Sequence, residues 1–196
     1  GITSCNLPIS EQLIGARASR TTHPKSLDLL SKLISELLQM KFEVRNPFFW
    51  KTKTDVIHEI GKRGFSPLIR YTCSCSHIRT SERDSNHCGV CSQCVDRRLA
   101  IVSNDMVLDD PDDLYQIRLP IDPIVGTEDR TMVASYLRTA VNLDAMTIDE
   151  FYAQYGEAAR VISHLGMSAM LGGEKLHELH KRHGKQIRVA RSKLVQ

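Results

Sequence analysis

Four of the six cysteines, Cys75, Cys88, Cys91 and Cys94, crowd into 20 residues, with Cys5 and Cys73 left over. In Cys75-x12-Cys88-x2-Cys91-x2-Cys94, three thiols recur every third residue through a turn containing Gly89, and one more comes from upstream. Tetrahedral zinc needs four soft ligands, and a tight knuckle can place several cysteine sulfurs about 2.3 Å from one ion. An iron–sulfur cluster is the rival, because Cys-x2-Cys-x2-Cys also begins the ferredoxin pattern, although Asp96-Arg97-Arg98 follow here where that pattern has Cys-Pro. A metal-free redox pair is the remaining alternative, made less natural by two spare thiols beside it. Cys73 is a substitute for Cys75, and His77 and His87 are further candidate ligands. A site closed by four thiolates leaves no open position for water, so its expected role is structural.

Two other stretches carry chemistry. Gly15-Ala16-Arg17-Ala18-Ser19-Arg20-Thr21-Thr22-His23-Pro24 is a polar, basic loop running into a helix start, where arginine forks, hydroxyls and free backbone N–H groups suit an anion. The plainer alternative is a capped loop with solvated arginines. In Asn46-Pro47-Phe48-Phe49-Trp50-Lys51-Thr52-Lys53 the sole Trp and two Phe stand beside two Lys at a second helix start. Lysine there can touch a phosphate, while the aromatics read as packing rather than a base-stacking platform. Asp105, Asp109, Asp110, Asp112 and Asp113 invite a metal reading. Asp110-Pro111 followed by two acids reads better as an N-cap, a first-turn proline and favourable charges at the helix dipole.

The elements that must position these residues are mostly helices. Leu27, Leu30, Leu33, Ile34, Leu37 and Leu38 draw one apolar stripe along a helix from Lys25 to Met40. Further helices are predicted over 53–63, with Thr52 as N-cap and Gly64 as stop, and over 93–103 with Val95, Leu99 and Val102 inward. Beyond these, helices are predicted over 111–116, 128–144, 148–155, 157–171 and 174–183, with Thr147-Ile148-Asp149-Glu150 spelling a capping box. Short strands are expected at 42–46 and 68–72. The expected fold is mainly α, with a few short strands and a four-cysteine zinc knuckle.

Composition excludes several classes. A chain of 196 residues can bury a full core, and 41% hydrophobic with 25% charged residues is ordinary for a globular protein rather than a disordered or fibrous one. No run approaches the ~18 apolar residues of a membrane helix, no signal peptide is visible, and a cytoplasmic location is expected. A net charge of +3 is too small to indicate a nucleic-acid binder. The surplus is concentrated in residues 175–196, which hold Lys175, Lys181, Arg182, Lys185, Arg188, Arg191 and Lys193 against one acid, Glu178. There His177, His180 and His183 share a helical face with Leu176 and Leu179, and the charge run reads as a solvated surface.

The cysteine knuckle, the basic loop and the aromatic-lysine stretch, together with Asn6-Leu7-Pro8 and Ser74-Cys75-Ser76, resemble the QueC family. These are the 7-cyano-7-deazaguanine synthases of the PP-loop ATP pyrophosphatase superfamily. The resemblance is closer still to divergent relatives in bacterial antiphage defence operons, and it covers roughly residues 1–100. It implies a structural Zn2+ on Cys75, Cys88, Cys91 and Cys94, an ATP-phosphate role for Lys53, and a substrate-side position for Arg20 and His23. No residue of this chain takes a catalytic role. The family's Ser-Gly-Gly-x-Asp-Ser loop, whose backbone N–H groups cradle pyrophosphate, is absent from these 196 residues, and Gly172-Gly173, lying between predicted helices, does not replace it.

On that resemblance the chain is expected to be the C-terminal part of an α/β, HUP or Rossmann-like PP-loop ATPase fold. Residues 1–104 would be core and 105–196 a helical extension with a basic tail. The implied activity is that of a ligase of queuosine biosynthesis, using ATP and Mg2+ in the full-length protein to turn a deazaguanine carboxylate into a nitrile, with this piece inactive alone. Expected partners are the missing N-terminal PP-loop half or a second copy, and proteins that bind the helical extension. Neither membrane nor nucleic acid is expected. The alternative is a non-catalytic zinc-knuckle module that binds nucleic acid or a protein.

Overall fold

Helix α1 (Pro24–Leu38) starts where His23, held extended, accepts the Lys25 N–H on its Nδ1 at 3.2 Å and Pro24 fills the first turn. It stops where Gln39 turns left-handed at φ 50° and returns its N–H to the last carbonyls. The computed structural model describes residues 2–5, 7, 21–77 and 86–195, and among these the regular structure is helical apart from a single bridge between His87 and Tyr115. The chain divides into two compact units, residues 1–52 with 145–182 and residues 53–144 with 183–196, so each draws on both halves of the sequence. None of the helices described is long and apolar enough to cross a membrane.

In the first unit the predicted strand at 42–46 is an irregular segment. Its ladder partners are replaced by α1 hydroxyls: Ser35 Oγ accepts from Phe42 N at 2.9 Å and donates to Phe42 O at 3.0 Å, and Ser31 Oγ accepts from Val44 N at 2.9 Å. The leucine stripe of α1 forms as expected but lies open, with Leu33 55% and Leu37 73% exposed and only Pro24 buried. Helix α5 (Ile148–Gln154) carries the capping box in both directions between Thr147 and Glu150. It buries Phe151 completely against the rings of Tyr155 and His180.

The predicted helix over 157–171 is interrupted. It is a 3-10 turn at Gly156–Ala158, a short α6 (Ala159–Ile162), and a break at Gly166, whose φ of 65° no helix contains. Helix α7 then runs from Ala169 to Val195, much longer than the sequence suggested, and takes Gly172-Gly173 into its body. A Cβ on Gly172 would stand 3.1 Å from Ile162 Cγ2, and Tyr152 donates to Gly173 O at 2.9 Å. These glycines are therefore close-packing positions rather than a loop.

The second unit is built around α3 (Ser92–Ser103), in which every residue from Cys94 to Val102 is buried. Ile57 of α2 (Lys53–Lys62) and Ile69 of the 3-10 turn Ser66–Tyr71 pack on Ala100 and Ile101, with Ile60 and Met106 at the margin. Burial of this kind contributes about 1.5–3 kcal/mol for each large aliphatic side chain. The second predicted strand, 68–72, is thus a 3-10 turn. Pro67 sits at its start, and the Ile69 carbonyl is taken by Thr72 N and by Arg97 rather than by a neighbouring strand. Helix α4 (Thr127–Ala145) buries Met132, Val133, Tyr136, Ala140 and Leu143, a three-and-four spacing. It meets the middle of α7 at Gly184, where an added Cβ would lie 2.3 Å from Ala140 O. The basic tail is the last part of α7, where Arg188 pairs with Asp144 and Lys193 with Asp105, both at 2.7 Å.

Candidate metal centre

The Sγ atoms of Cys75, Cys88, Cys91 and Cys94 all lie within 4.8 Å of one another, and those of Cys88 and Cys94 are 3.9 Å apart. Four sulfurs at ~2.3 Å from one tetrahedral ion stand roughly 3.8 Å from each other, so the set fits a single ion. A cluster of several irons would have to sit among the sulfurs and hold them further apart. Cys73, His77 and His87 are not members of the group. The Cys73 thiol is exposed and 3.2 Å from Asn86 O. Cys5 is buried, and burial pushes its thiol up to about 12.

Local backbone makes the knuckle. Gly89 takes φ 85°, and the chain turns back so that Cys91 N donates to Cys88 Sγ at 3.3 Å. Cys91 is the extended N-cap residue of α3 and Cys94 lies in its first turn, so three ligands come from one turn and one helix start. Hydrogen bonds from Cys88 and Cys94 hold the Cys91 sulfur far below the ordinary thiol range, and the same contacts push Cys88 and Cys94 up. Four thiolates brought this close together repel one another and require a cation among them.

Gly89 is also a point of close approach. A Cβ there would lie 1.9 Å from Ile117 O, because His87 N donates to Leu114 O and Gln116 N to His87 O, pinning segment 114–117 along the knuckle. Gly89→Ala combines the left-handed cost of about 1–2 kcal/mol with a collision against backbone that cannot rotate away. We expect it to lose metal during dialysis and to melt well below wild type. A melting temperature within about 2 °C of wild type would count against this geometry.

A buried polar frame braces the centre. Arg97 of α3 donates to Asp110 Oδ1 from Nε at 2.9 Å and from Nη2 at 2.7 Å, to Thr72 Oγ1 at 2.7 Å and to Ile69 O at 2.7 Å. It therefore ties the segment leading to Cys75 to the helix that carries Cys94. Tyr115 donates to Asp110 Oδ2 at 2.6 Å, and burial keeps its phenol protonated for that purpose. Arg98 donates to Asp110 O at 3.0 Å and pairs with Asp112. Asp110 is thus not a helix cap. The predicted helix 111–116 is a 3-10 turn at Asp112–Leu114, and the Asp110 carboxylate is fully buried as the counter-ion of Arg97. His87 lies on the Tyr115 ring with centroids 4.9 Å apart, and burial with the nearby Arg97 charge holds it neutral.

Lys53 opens α2, which packs on α3. Its Nζ is 3.3 Å from Gln93 Oε1 and 3.7 Å from Asp96 Oδ2, and its side chain is 23% exposed. It is thereby the counter-ion of a buried carboxylate. Tyr136 donates to Asp96 Oδ1 at 2.6 Å and lies 3.3 Å from His183 Nε2. No sequence signal marked Asp96, Tyr136 and His183 as a set. They stand 40 and 47 residues apart along the chain.

The remaining candidates belong to the first unit. His23 caps α1, and Thr22 Oγ1 lies 3.1 Å from Ser4 Oγ, to which Asn46 Nδ2 donates at 3.3 Å. Arg20 lies outside the described residues. Phe49 is buried with its ring 4.8 Å from that of Trp50, and Lys175 stands 5.7 Å over Trp50, so these two aromatics pack as expected, whereas Phe48 is 50% exposed.

Residues 21–105 match the family described as queuosine biosynthesis protein QueC, a span that contains all four cysteines and Lys53. No curated protein and no solved structure matches the chain.

Proposed function

We propose that this chain, QueC-like over residues 21–105, is the zinc-bearing C-terminal portion of an ATP-dependent 7-cyano-7-deazaguanine synthase or of a defence-system homologue. The observation that carries the reading is the convergence of four sulfurs within 4.8 Å inside the matched span. In this reading Zn2+ is structural. Bound to four thiolates it presents no open position, and it fixes α3 and the segment before Cys75. Lys53 would contribute charge to the ATP phosphates and Arg20 and His23 would face the deazaguanine. ATP with Mg2+ would activate the carboxyl oxygen for displacement by ammonia, giving the amide, and then the amide oxygen, whose departure with the activating group and loss of the two N–H protons leaves the nitrile.

The nucleotide loop is supplied by an N-terminal half with the HUP or Rossmann-like sheet. The open α1 stripe of Leu30, Leu33, Leu37 and Leu38 supports such a cover, since apolar faces of this size are seldom left to water. The competing cover is a second copy of the chain, as in a non-catalytic module.

Two measurements test the reading. Calorimetry on the 196-residue chain should find no micromolar ATP affinity, because Lys53 alone cannot hold a triphosphate. Such an affinity would overturn the division into halves. The protein translated with the reading frame upstream of Gly1, given ammonium as nitrogen donor, should consume ATP and convert 7-carboxy-7-deazaguanine to its nitrile, as read by mass spectrometry. Failure of a folded, zinc-loaded sample to do so would refute the synthase assignment.

A further inference from the structure

Residues 106–196 lie outside the family match, yet two of their side chains reach the polar cluster at Lys53. The hydrogen bonds there have a direction. The only hydrogen of the Tyr136 hydroxyl goes to Asp96 Oδ1 at 2.6 Å, so in the contact with His183 Nε2 at 3.3 Å the histidine must be the donor. The order is therefore His183 Nε2–H to Tyr136 oxygen, Tyr136 O–H to Asp96 Oδ1, and Asp96 Oδ2 facing the Lys53 ammonium at 3.7 Å. Tyr136 is 3%, Asp96 4% and His183 5% exposed, so water does not compete for these bonds. A carboxylate held at one oxygen by a buried phenol has a fixed plane, and its second oxygen has a fixed position.

Lys53 is held by that position without being consumed by it. A direct ammonium–carboxylate hydrogen bond runs to about 2.7–2.9 Å, well short of the 3.7 Å seen here. Of its three donors one points to Gln93 Oε1 at 3.3 Å, and the side chain keeps access to solvent. The backbone beneath it is fixed independently. Asn104 Nδ2 donates to Thr54 O at 3.1 Å, and Gln186 Nε2, also from the extension, donates to Asp55 Oδ1 at 2.7 Å. An otherwise floppy four-carbon chain thus presents its charge from one place, with its ordering entropy already lost before a ligand arrives.

We infer that Tyr136 and His183 are positioning residues that hold Lys53 for an anionic ligand by way of Asp96, so that the extension completes the site which the family-like segment begins. The inference rests on the phosphate role proposed for Lys53.

The test uses the 196-residue chain with 13C-labelled lysine and inorganic pyrophosphate as the probe. In the wild type the two Lys53 ε-methylene protons should be resolved, and pyrophosphate at millimolar concentration, as the weak affinity of a chain without the nucleotide loop requires, should shift them. Tyr136→Phe, which removes only the hydroxyl, should merge them towards the averaged signal of exposed lysines and weaken pyrophosphate binding about tenfold, the scale of one charge-linked hydrogen bond. His183→Gln keeps an N–H donor and should retain the resolved pair, whereas His183→Leu should lose it. A purely structural role predicts no such difference between the two. Unchanged Lys53 signals in Tyr136→Phe would overturn the inference. A wild-type Lys53 indifferent to pyrophosphate would instead count against the phosphate role itself, and it is read before any substitution is made.

Discussion

Cys91→Ala is expected to release the metal and to unfold the second unit at ordinary temperature. The residue is involved in the knuckle three times over. Its sulfur is one of the four ligands, its N–H is donated to Cys88 Sγ at 3.3 Å, and its extended backbone begins α3. The substitution keeps the N–H and the backbone but leaves three sulfurs around the ion. Structural zinc sites contribute about 10–16 kcal/mol to small domains, against a typical net stability of about 5–15 kcal/mol. Losing even a third of that contribution consumes the margin, because α3 is the element on which the unit packs. Elemental analysis should find close to one zinc per wild-type chain and almost none in the variant, and the helical circular-dichroism signal should fall with it. Cys73→Ala, at an exposed thiol outside the group, should change neither. Iron with sulfide in the wild type, or a Cys91→Ala protein that melts like the wild type, would refute the zinc assignment.

Asp110→Ala should cost about 3–5 kcal/mol, the penalty for leaving one partner of a buried ion pair unaccompanied. Asp110 is fully buried and Arg97 is 2% exposed, so the guanidinium cannot turn to water. Tyr115 would lose its acceptor as well. The loss should appear as a lower urea midpoint at unchanged slope. It should be accompanied by weaker metal retention, since Arg97 connects the Ile69–Thr72 stretch before Cys75 to α3. Replacing both partners by apolar residues, Arg97→Met with Asp110→Leu, should recover much of the stability. A single Asp110→Ala effect below about 1 kcal/mol would mean the pair is hydrated in solution, contrary to the structure.

What the sequence by itself determined is what depends on near neighbours. The spacing of Cys88, Cys91 and Cys94 places three ligands because one turn and the first turn of a helix lie within seven residues, and Gly89 can be read as the residue that permits the turn. The stripe of α1 and the capping box of α5 follow from hydrogen bonds and side-chain neighbours three or four positions apart, whereas α3, expected to bury only Val95, Leu99 and Val102, is buried on every side. The family resemblance was legible for the same reason, being carried by contiguous motifs.

What only the tertiary structure decided involves partners far along the chain. Asp110 spells a helix cap, yet Arg97, thirteen residues earlier, claims its carboxylate, because a buried guanidinium must find a counter-charge more urgently than a helix needs a cap. Gly172-Gly173 spells a break, yet Ile162 and Tyr152 press close enough that small residues are required inside α7. Segments 42–46 and 68–72 have strand-like composition, but a strand needs a neighbour to take its carbonyls and N–H groups, and α1 hydroxyls and Arg97 meet that need first. Lys53 is recognisable as a cation at a helix start, while its orientation is set by Asp96, Tyr136 and His183 from three different helices, a relation no local spacing encodes because the chain must fold before those groups meet.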